Sequence, residues 1–277
     1  MTEAAGINPQ ALARELMAAY ADRQTLAVPP SSRDAQFDLT AAYAVEAELV
    51  RLRRAAGRTT VGRKVGFANK ALWRVLKLET LVWATMYDDT VVYADGNAAS
   101  LSLARMVSPK IEPEIVFKMK RTASGGLDAA QVLDRVEWVA LGFEIIDCVF
   151  TDWTFQPADF VASFGLHAAL VVGEPLGVEP PQIAALVEQL PRFTVRLLRD
   201  GQLVEEGSGR NSLRSPALCL GELASAIARQ SGAEPLAAGE LVSSGTLTES
   251  RPMAPGETWN AIVDGLDVPD LTLRTLA

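Results

Sequence analysis

The run Trp138-Val139-Ala140-Leu141-Gly142-Phe143-Glu144-Ile145-Ile146-Asp147-Cys148-Val149-Phe150 is apolar almost without a break, yet it carries two acids, Glu144 and Asp147. Flanks this apolar are expected to bury Glu144, and a carboxylate taken out of water needs a partner. Two kinds of partner are open: a shared cation, or an Arg, a Lys or backbone donors. Any fold for this chain must deliver one of them to the middle of an apolar segment.

A second segment points the same way. In Ser108-Pro109-Lys110-Ile111-Glu112-Pro113-Glu114-Ile115-Val116-Phe117 a strand would put Glu112 and Glu114 on one face, because side chains alternate with period two. If buried, the two carboxylates require protons or a cation. All-oxygen ligation suits a hard ion such as Mg2+ or Mn2+, and a metal shared with Glu144 would serve both segments. The other reading is a solvent-facing edge strand, with Pro113 marking the edge. A third segment, Val61-Gly62-Arg63-Lys64-Val65-Gly66-Phe67, offers a lysine on a predicted strand. Lys64 either points inward, to hold a carboxylate or move a proton, or sits on the surface of an edge strand.

Around these segments the chain reads as α+β. Asn8-Pro9 starts a helix carrying Leu12, Leu16 and Tyr20. Pro29 and Pro30 break it, and a Ser-Ser-Arg-Asp loop follows. A second helix puts Leu39, Tyr43, Ala47 and Val50 on one face and ends in Arg51, Arg53 and Arg54, which read as a solvated helix end. Phe193–Leu198, Asp200-Gly201 and Leu203-Val204 form a hairpin signal. Pro181 and Ser215-Pro216 open two further helices, the latter with Leu220, Leu223 and Ile227. The expected organisation is a helical section over residues 1–60 packed on a core over 61–277, in one structural unit. A Rossmann fold is disfavoured, because no Gly-x-Gly-x-x-Gly follows a predicted strand.

Composition closes off several functions. The net charge of -8 gives no electrostatic reason to bind nucleic acid. Cys148 and Cys219 are far apart and lack metal-ligand spacing, which fits a reducing compartment. No apolar run approaches the roughly 18 residues of a membrane span. The early acidic Glu3, with no basic segment before an apolar one, does not read as a signal peptide. The expectation is a cytoplasmic protein without nucleic-acid or membrane partners.

Taken in order, the three segments resemble the 2-keto-4-pentenoate hydratase/4-oxalocrotonate decarboxylase branch of the fumarylacetoacetate hydrolase superfamily. Gly62-Arg63-Lys64-Val65-Gly66 resembles its Gly-x-Lys-[Ile/Val]-Gly. Pro109–Glu114 resembles its Pro-[Lys/Arg]-[Ile/Val]-Glu-x-Glu, and Leu141–Asp147, followed by Asp152-Trp153, resembles its Leu-Glu-[Ile/Val]-[Ile/Val]-Asp segment. The likeness runs from Phe37-Asp38-Leu39 to Ser244-Gly245-Thr246-Leu247-Thr248.

The resemblance implies a mixed β-sandwich roll with an N-terminal helical section. It implies Glu112, Glu114 and Glu144 as ligands of Mg2+ or Mn2+, a small 2-keto acid as substrate, and Lys64, Phe67 and Thr246 beside it. Catalytic roles are implied for Lys64 and Asp89. The implied activity is hydration of a 2-hydroxy-2,4-dienoate in aromatic catabolism, in a homo-oligomer that can work with a companion decarboxylase or hydratase. Decarboxylation of a 4-oxalocrotonate-type acid and hydrolysis of a C–C bond are the alternatives.

Two departures bear on the choice. Where hydratases usually carry Pro-Asp-Tyr-Gly, this chain reads Leu81-Val82-Trp83-Ala84, and decarboxylases tend to be apolar at the acid's position. Where the family has Asp-Asn-Ala-Ser-Ser, this chain has Ala162-Ser163-Phe164-Gly165-Leu166-His167. A lone histidine in an apolar stretch is either a core residue or, here, a catalytic group standing in for the missing acid.

Overall fold

A computed structural model describes residues 6–277, so Glu3 lies outside the described residues. The chain begins with helices α1 (Pro9–Ala21), α2 (Pro30–Arg33) and α3 (Leu39–Ala55). Then come β1 (Thr60–Gly66), α4 (Trp73–Leu76), β2 (Val82–Tyr87), β3 (Val91–Tyr93), β4 (Ala98–Ser102) and β5 (Pro109–Met119). The middle of the chain forms α5 (Ala129–Leu133), β6 (Val136–Asp147), α6 (Pro157–Ala162), β7 (His167–Val172), β8 (Leu176–Gly177) and α7 (Ile183–Gln189). The hairpin β9 (Thr194–Arg199) and β10 (Gln202–Ser208) precedes α8 (Pro216–Arg229), β11 (Leu241–Ser243), β12 (Arg251–Pro252), β13 (Thr258–Asp264) and β14 (Leu271–Leu276).

Local chemistry sets many of these boundaries. The Asn8 carboxamide accepts from Ala11 N at 2.9 Å, and Pro9 takes the first helical position, where its missing donor costs nothing. Asp38 caps α3 in the same way, accepting from Ala41 N at 2.9 Å. Asp200 and Gly201 both have positive φ, 51° and 77°, as a tight hairpin with the right-handed strand twist requires.

Three expectations need correcting. Ser31 to Arg33 are not loop but complete the single turn α2, with Pro30 at its start. The buried face of α3 is Ala42, Val45, Glu46 and Leu49, and Ala47 is exposed. Glu46 was hidden from a hydropathy reading because a tertiary partner satisfies it: its carboxylate accepts from Thr85 N at 3.0 Å. The arginines at the end of α3 are not merely solvated, since Arg53 pairs with Asp89 and Arg54 with Glu234.

Two sheets form. The larger, nine-stranded and mixed, runs β2-β1-β11-β5-β6-β7-β3, with β12 added to β5 and β8 to β6; the smaller runs β10-β9-β13-β14-β4. Strand β5 is therefore interior, not an edge. Pro113 is tolerated there because its carbonyl accepts from Leu247 N at 2.9 Å, on the side where β11 has ended and β12 has not begun. Its imide nitrogen faces that same side, so no ladder donor is lost.

One face of the large sheet joins the main apolar core, through Ile111, Ile115, Phe117, Leu141, Phe143 and Val242. That core also takes in Leu12, Leu16 and Leu49 of the helical section and Trp259 of the small sheet. The other face carries a separate small cluster, Met86, Val116, Ala140, Leu170, Val172 and Leu241. By register, Lys64, Glu112, Glu114 and Glu144 lie on this second face.

Candidate active site

Register alone assembles most of the site. Glu112 lies directly across from Glu144 in the β5–β6 pair, and Glu114 is one step further along the same face. Each of the three offers a carboxylate oxygen within 4.8 Å of the others. Glu114 and Glu144 are fully buried, while Glu112 is partly exposed to a cavity of about 420 Å3. Lys64 comes from β1, two strands away across β11.

The three carboxylates have different surroundings. One oxygen of Glu114 accepts from the Ser243 hydroxyl at 2.5 Å and from Gly245 N at 2.8 Å. Its other oxygen is buried with no hydrogen-bond partner. Glu144 faces His167 Nδ1 at 2.9 Å through one oxygen and the Lys64 ammonium at 3.0 Å through the other. The lysine lies off the direction a hydrogen bond needs, so this second contact is ionic only. Lys64 donates its hydrogen bond to the Gly165 carbonyl at 2.9 Å.

The electrostatics follow from these partners. Burial works to raise the Glu144 carboxyl, but Lys64 and His167 together outweigh it and hold it below its usual range. Glu112 is pushed up to about 7 by burial, with the Glu144 charge adding to it against Lys64. Burial, then the charges of Glu144 and Glu112, raise Glu114 well above its usual value. Three carboxylates thus share one lysine and one histidine, and one Glu114 oxygen has no partner at all. Such a donor set, all oxygen and short of positive charge, fits a hard divalent cation. It is the one cluster of this kind among the described residues.

A strand irregularity brings in His167. The β6–β7 register shifts between Ile145 and Ile146, so that Ile146 opposes His167 and Ala168 is the extra residue. Without that shift His167 would face the opposite side; the bulge re-aims it onto the carboxylate face. Its Nε2 pairs with the Thr90 hydroxyl at 2.9 Å, which in turn donates to the Tyr87 carbonyl at 2.8 Å. Just before it, Phe164, Gly165 and Leu166 all have positive φ, at 58°, 59° and 57°. Gly165 has no substitute there, since a Cβ would sit 2.7 Å from Lys64 Cδ.

The sequence-derived residues therefore divide. Lys64, Phe67, Glu112 and Thr246 line the cavity, and Glu114 and Glu144 lie buried beneath it. His167 touches Glu144 but lines a second cavity, of about 640 Å3, together with Asp89. Asp89 is held by Arg53 at 2.5 Å and Arg58 at 3.1 Å, and it does not reach the carboxylates. Val82 is buried opposite Gly66 on the carboxylate face. Sequence reasoning missed Ser243, the Gly165 carbonyl and Thr90 as supports. Nothing local marks them, because each acts on a residue distant along the chain.

No protein-family model matches the chain. It is 28% identical over 254 residues to a 2-hydroxyhexa-2,4-dienoate hydratase of Comamonas testosteroni, covering 91% of this chain and 92% of that protein. It is 30% identical over 217 residues to a 2-hydroxypent-2,4-dienoate hydratase of Pseudomonas putida, covering 78% and 94%. The fold matches that of 4-oxalocrotonate decarboxylase from Pseudomonas putida G7, solved with magnesium and adipate, at a TM-score of 0.86 and 23% identity over 97% of each chain. That likeness establishes the fumarylacetoacetate-hydrolase-like roll expected from the sequence. With identity at this level running through nearly the whole of a hydratase, the chain belongs to the 2-keto-4-pentenoate hydratase/4-oxalocrotonate decarboxylase family.

Proposed function

We propose that the protein is a divalent-metal-dependent hydratase, a carbon–oxygen lyase that adds water to a 2-hydroxy-2,4-dienoate in aromatic catabolism. The observation that carries this reading is the buried Glu112–Glu114–Glu144 cluster, with its bare Glu114 oxygen, set against a cavity lined by Lys64. Both relatives described above are named as dienoate hydratases, and the structural neighbour was solved with magnesium.

Glu112, Glu114 and Glu144 would hold Mg2+ or Mn2+. The bound cation supplies Lewis-acid stabilisation of negative charge developing on the substrate's 2-oxygen. The chain's own groups do the rest. Lys64, fixed by Gly165 and Glu144, offers a positive charge to the substrate carboxylate at the cavity floor. Phe67 and Thr246 form parts of the wall against which the substrate is oriented. His167 orients Glu144 from behind and, through Thr90, connects it to the second cavity, a route by which a proton can leave without crossing the substrate. Asp89 takes part only indirectly in this reading, through Arg53.

A decarboxylase is the second reading, and the apolar Val82 is the observation that favours it. A C–C hydrolase is weaker: His167 and Glu144 form a pair, but both imidazole nitrogens are engaged and the ring lines the wrong cavity. The reading also includes a cytoplasmic homo-oligomer, able to associate with a companion enzyme of the same pathway.

The test is a paired assay with Mg2+, supplying 2-hydroxypenta-2,4-dienoate and 4-oxalocrotonate separately. Metal-dependent loss of the dienoate, abolished in Glu114→Gln, is the expected result. Release of CO2 from oxalocrotonate alone would transfer the assignment to the decarboxylase.

A further inference from the structure

One part of the cavity wall beyond the carboxylates is a row of aromatic rings. Starting at the Lys64 ammonium, which lies 4.7 Å from the Phe160 ring centre, rings follow one another outward. Phe67 meets Phe160 edge-on at 5.1 Å, Phe155 lies 6.3 Å from Phe160, and Trp153 lies 6.4 Å from Phe155. Two consecutive residues with positive φ, Asp152 at 53° and Trp153 at 56°, bring the indole to this position, and its Nε1 donates to the Ser108 hydroxyl at 2.9 Å. Leu72, 44% exposed, continues the apolar surface at the rim.

Charge along the same wall is one-sided. Apart from Lys64 and Glu112 at the reacting end, the ionisable side chain that lines the cavity is Glu249, which is exposed. In the hydratase reading Lys64, held by Glu144 and Gly165, is taken up by the head carboxylate of the acid. Lys110 lies on the Trp153 ring, 3.8 Å from its centre, and does not itself line the cavity. A distal carboxylate would therefore meet no further cation on this wall and would face Glu249, with the neutral Asn69, Asn211, Thr248 and Ser250 as its polar neighbours. An alkyl tail would pack against the rings of Phe67, Phe155, Phe160 and Trp153. The cavity, about 420 Å3, is within the range of roughly 300–1,000 Å3 that takes whole small-molecule ligands, more than a five-carbon acid fills.

We propose that this site selects 2-keto acids whose tail beyond the reacting carbons is uncharged, apolar and longer than that of a pentadienoate, and that Phe155, Trp153 and Glu249 set this selectivity. The inference deepens the hydratase reading and rests on it for the placement of the acid's head over the carboxylates.

Binding of saturated 2-oxo acids, which share the head group and cannot be hydrated, tests it on the intact protein by calorimetry with Mg2+. The probes are 2-oxopentanoate, 2-oxooctanoate and 2-oxoadipate. Each added methylene buried against the rings should tighten binding about fourfold, the equivalent of about 0.8 kcal/mol. 2-Oxooctanoate is expected to bind at least tenfold more tightly than 2-oxopentanoate, and 2-oxoadipate more weakly than either. Phe155→Ala should shrink the octanoate-to-pentanoate ratio, and Glu249→Lys, a surface change, should raise the affinity for 2-oxoadipate. A flat chain-length series, tightest binding by the diacid, or no binding by any probe overturns the inference. Diacid binding lost in Lys110→Ala would identify Lys110 as the tail's partner instead. Failure of the hydratase reading shows separately, as no Mg2+-dependent turnover of the dienoate whatever the binding series does.

Discussion

At the scale of single residues, the site rests on how two carboxylates are supported from behind. Glu114 commits one oxygen to Ser243 and Gly245 and keeps the other bare. Glu114→Gln retains the shape and removes the charge, so Mg2+ affinity should fall by more than the roughly 10–100-fold typical of losing an outer-shell partner. Titration calorimetry measures this directly, and an unchanged affinity would remove Glu114 from the ligand set. Glu144 has its support in His167. His167→Ala leaves that oxygen without its partner, and Mg2+ affinity is expected to drop about 10–100-fold, with kcat/KM following. If kcat and KM both stay near wild type with the true substrate, His167 is a core residue and no more.

At the scale of elements, strand pairing sets the geometry and close backbone approach limits what it tolerates. Strand β1 carries Lys64 and runs parallel to β11, with Gly62 beside Leu241. A Cβ at Gly62 would stand 2.0 Å from the Leu241 carbonyl oxygen. Gly62→Ala should therefore cost at least about 1–3 kcal/mol, seen as a lower denaturation midpoint, because the β1–β11 pair must separate. Asn8→Ala makes a useful contrast. It removes only the cap of α1 and should cost about 1 kcal/mol, with Mg2+ binding unaffected. Equal effects of the two on metal binding would show that β1 does not position Lys64 independently of the helical section.

At the scale of the whole molecule, the carboxylate cluster couples folding to pH and metal. Burial lifts Glu112 from near 4.5 to about 7, and Glu114 is raised as well. The folded protein therefore holds protons that the unfolded chain has released, and stability falls as pH rises wherever the native state binds more protons. Metal-free protein should be most stable below about pH 4.5 as far as Glu112 is concerned, losing that contribution as pH rises through about 7. Added Mg2+ replaces the protons, so its stabilisation should grow over the same interval. Thermal melts with and without Mg2+ across the range check this; parallel curves would mean the ion binds elsewhere. Legibility divides along the same physical line. Period-two spacing was enough to put Glu112 and Glu114 on one face, apolar flanks to bury Glu144, capping chemistry to start α1, and turn chemistry to close the β9–β10 hairpin, because those are interactions among near neighbours in the chain. Burial of Glu46, the interior place of β5 despite Pro113, the bulge that turns His167 toward Glu144, and the separation of Asp89 from the site depend on partners from 23 to 134 residues away or on strand register. Only the packed sheet could decide those, since a side chain's partner across a strand pair is fixed by register and not by its own neighbours.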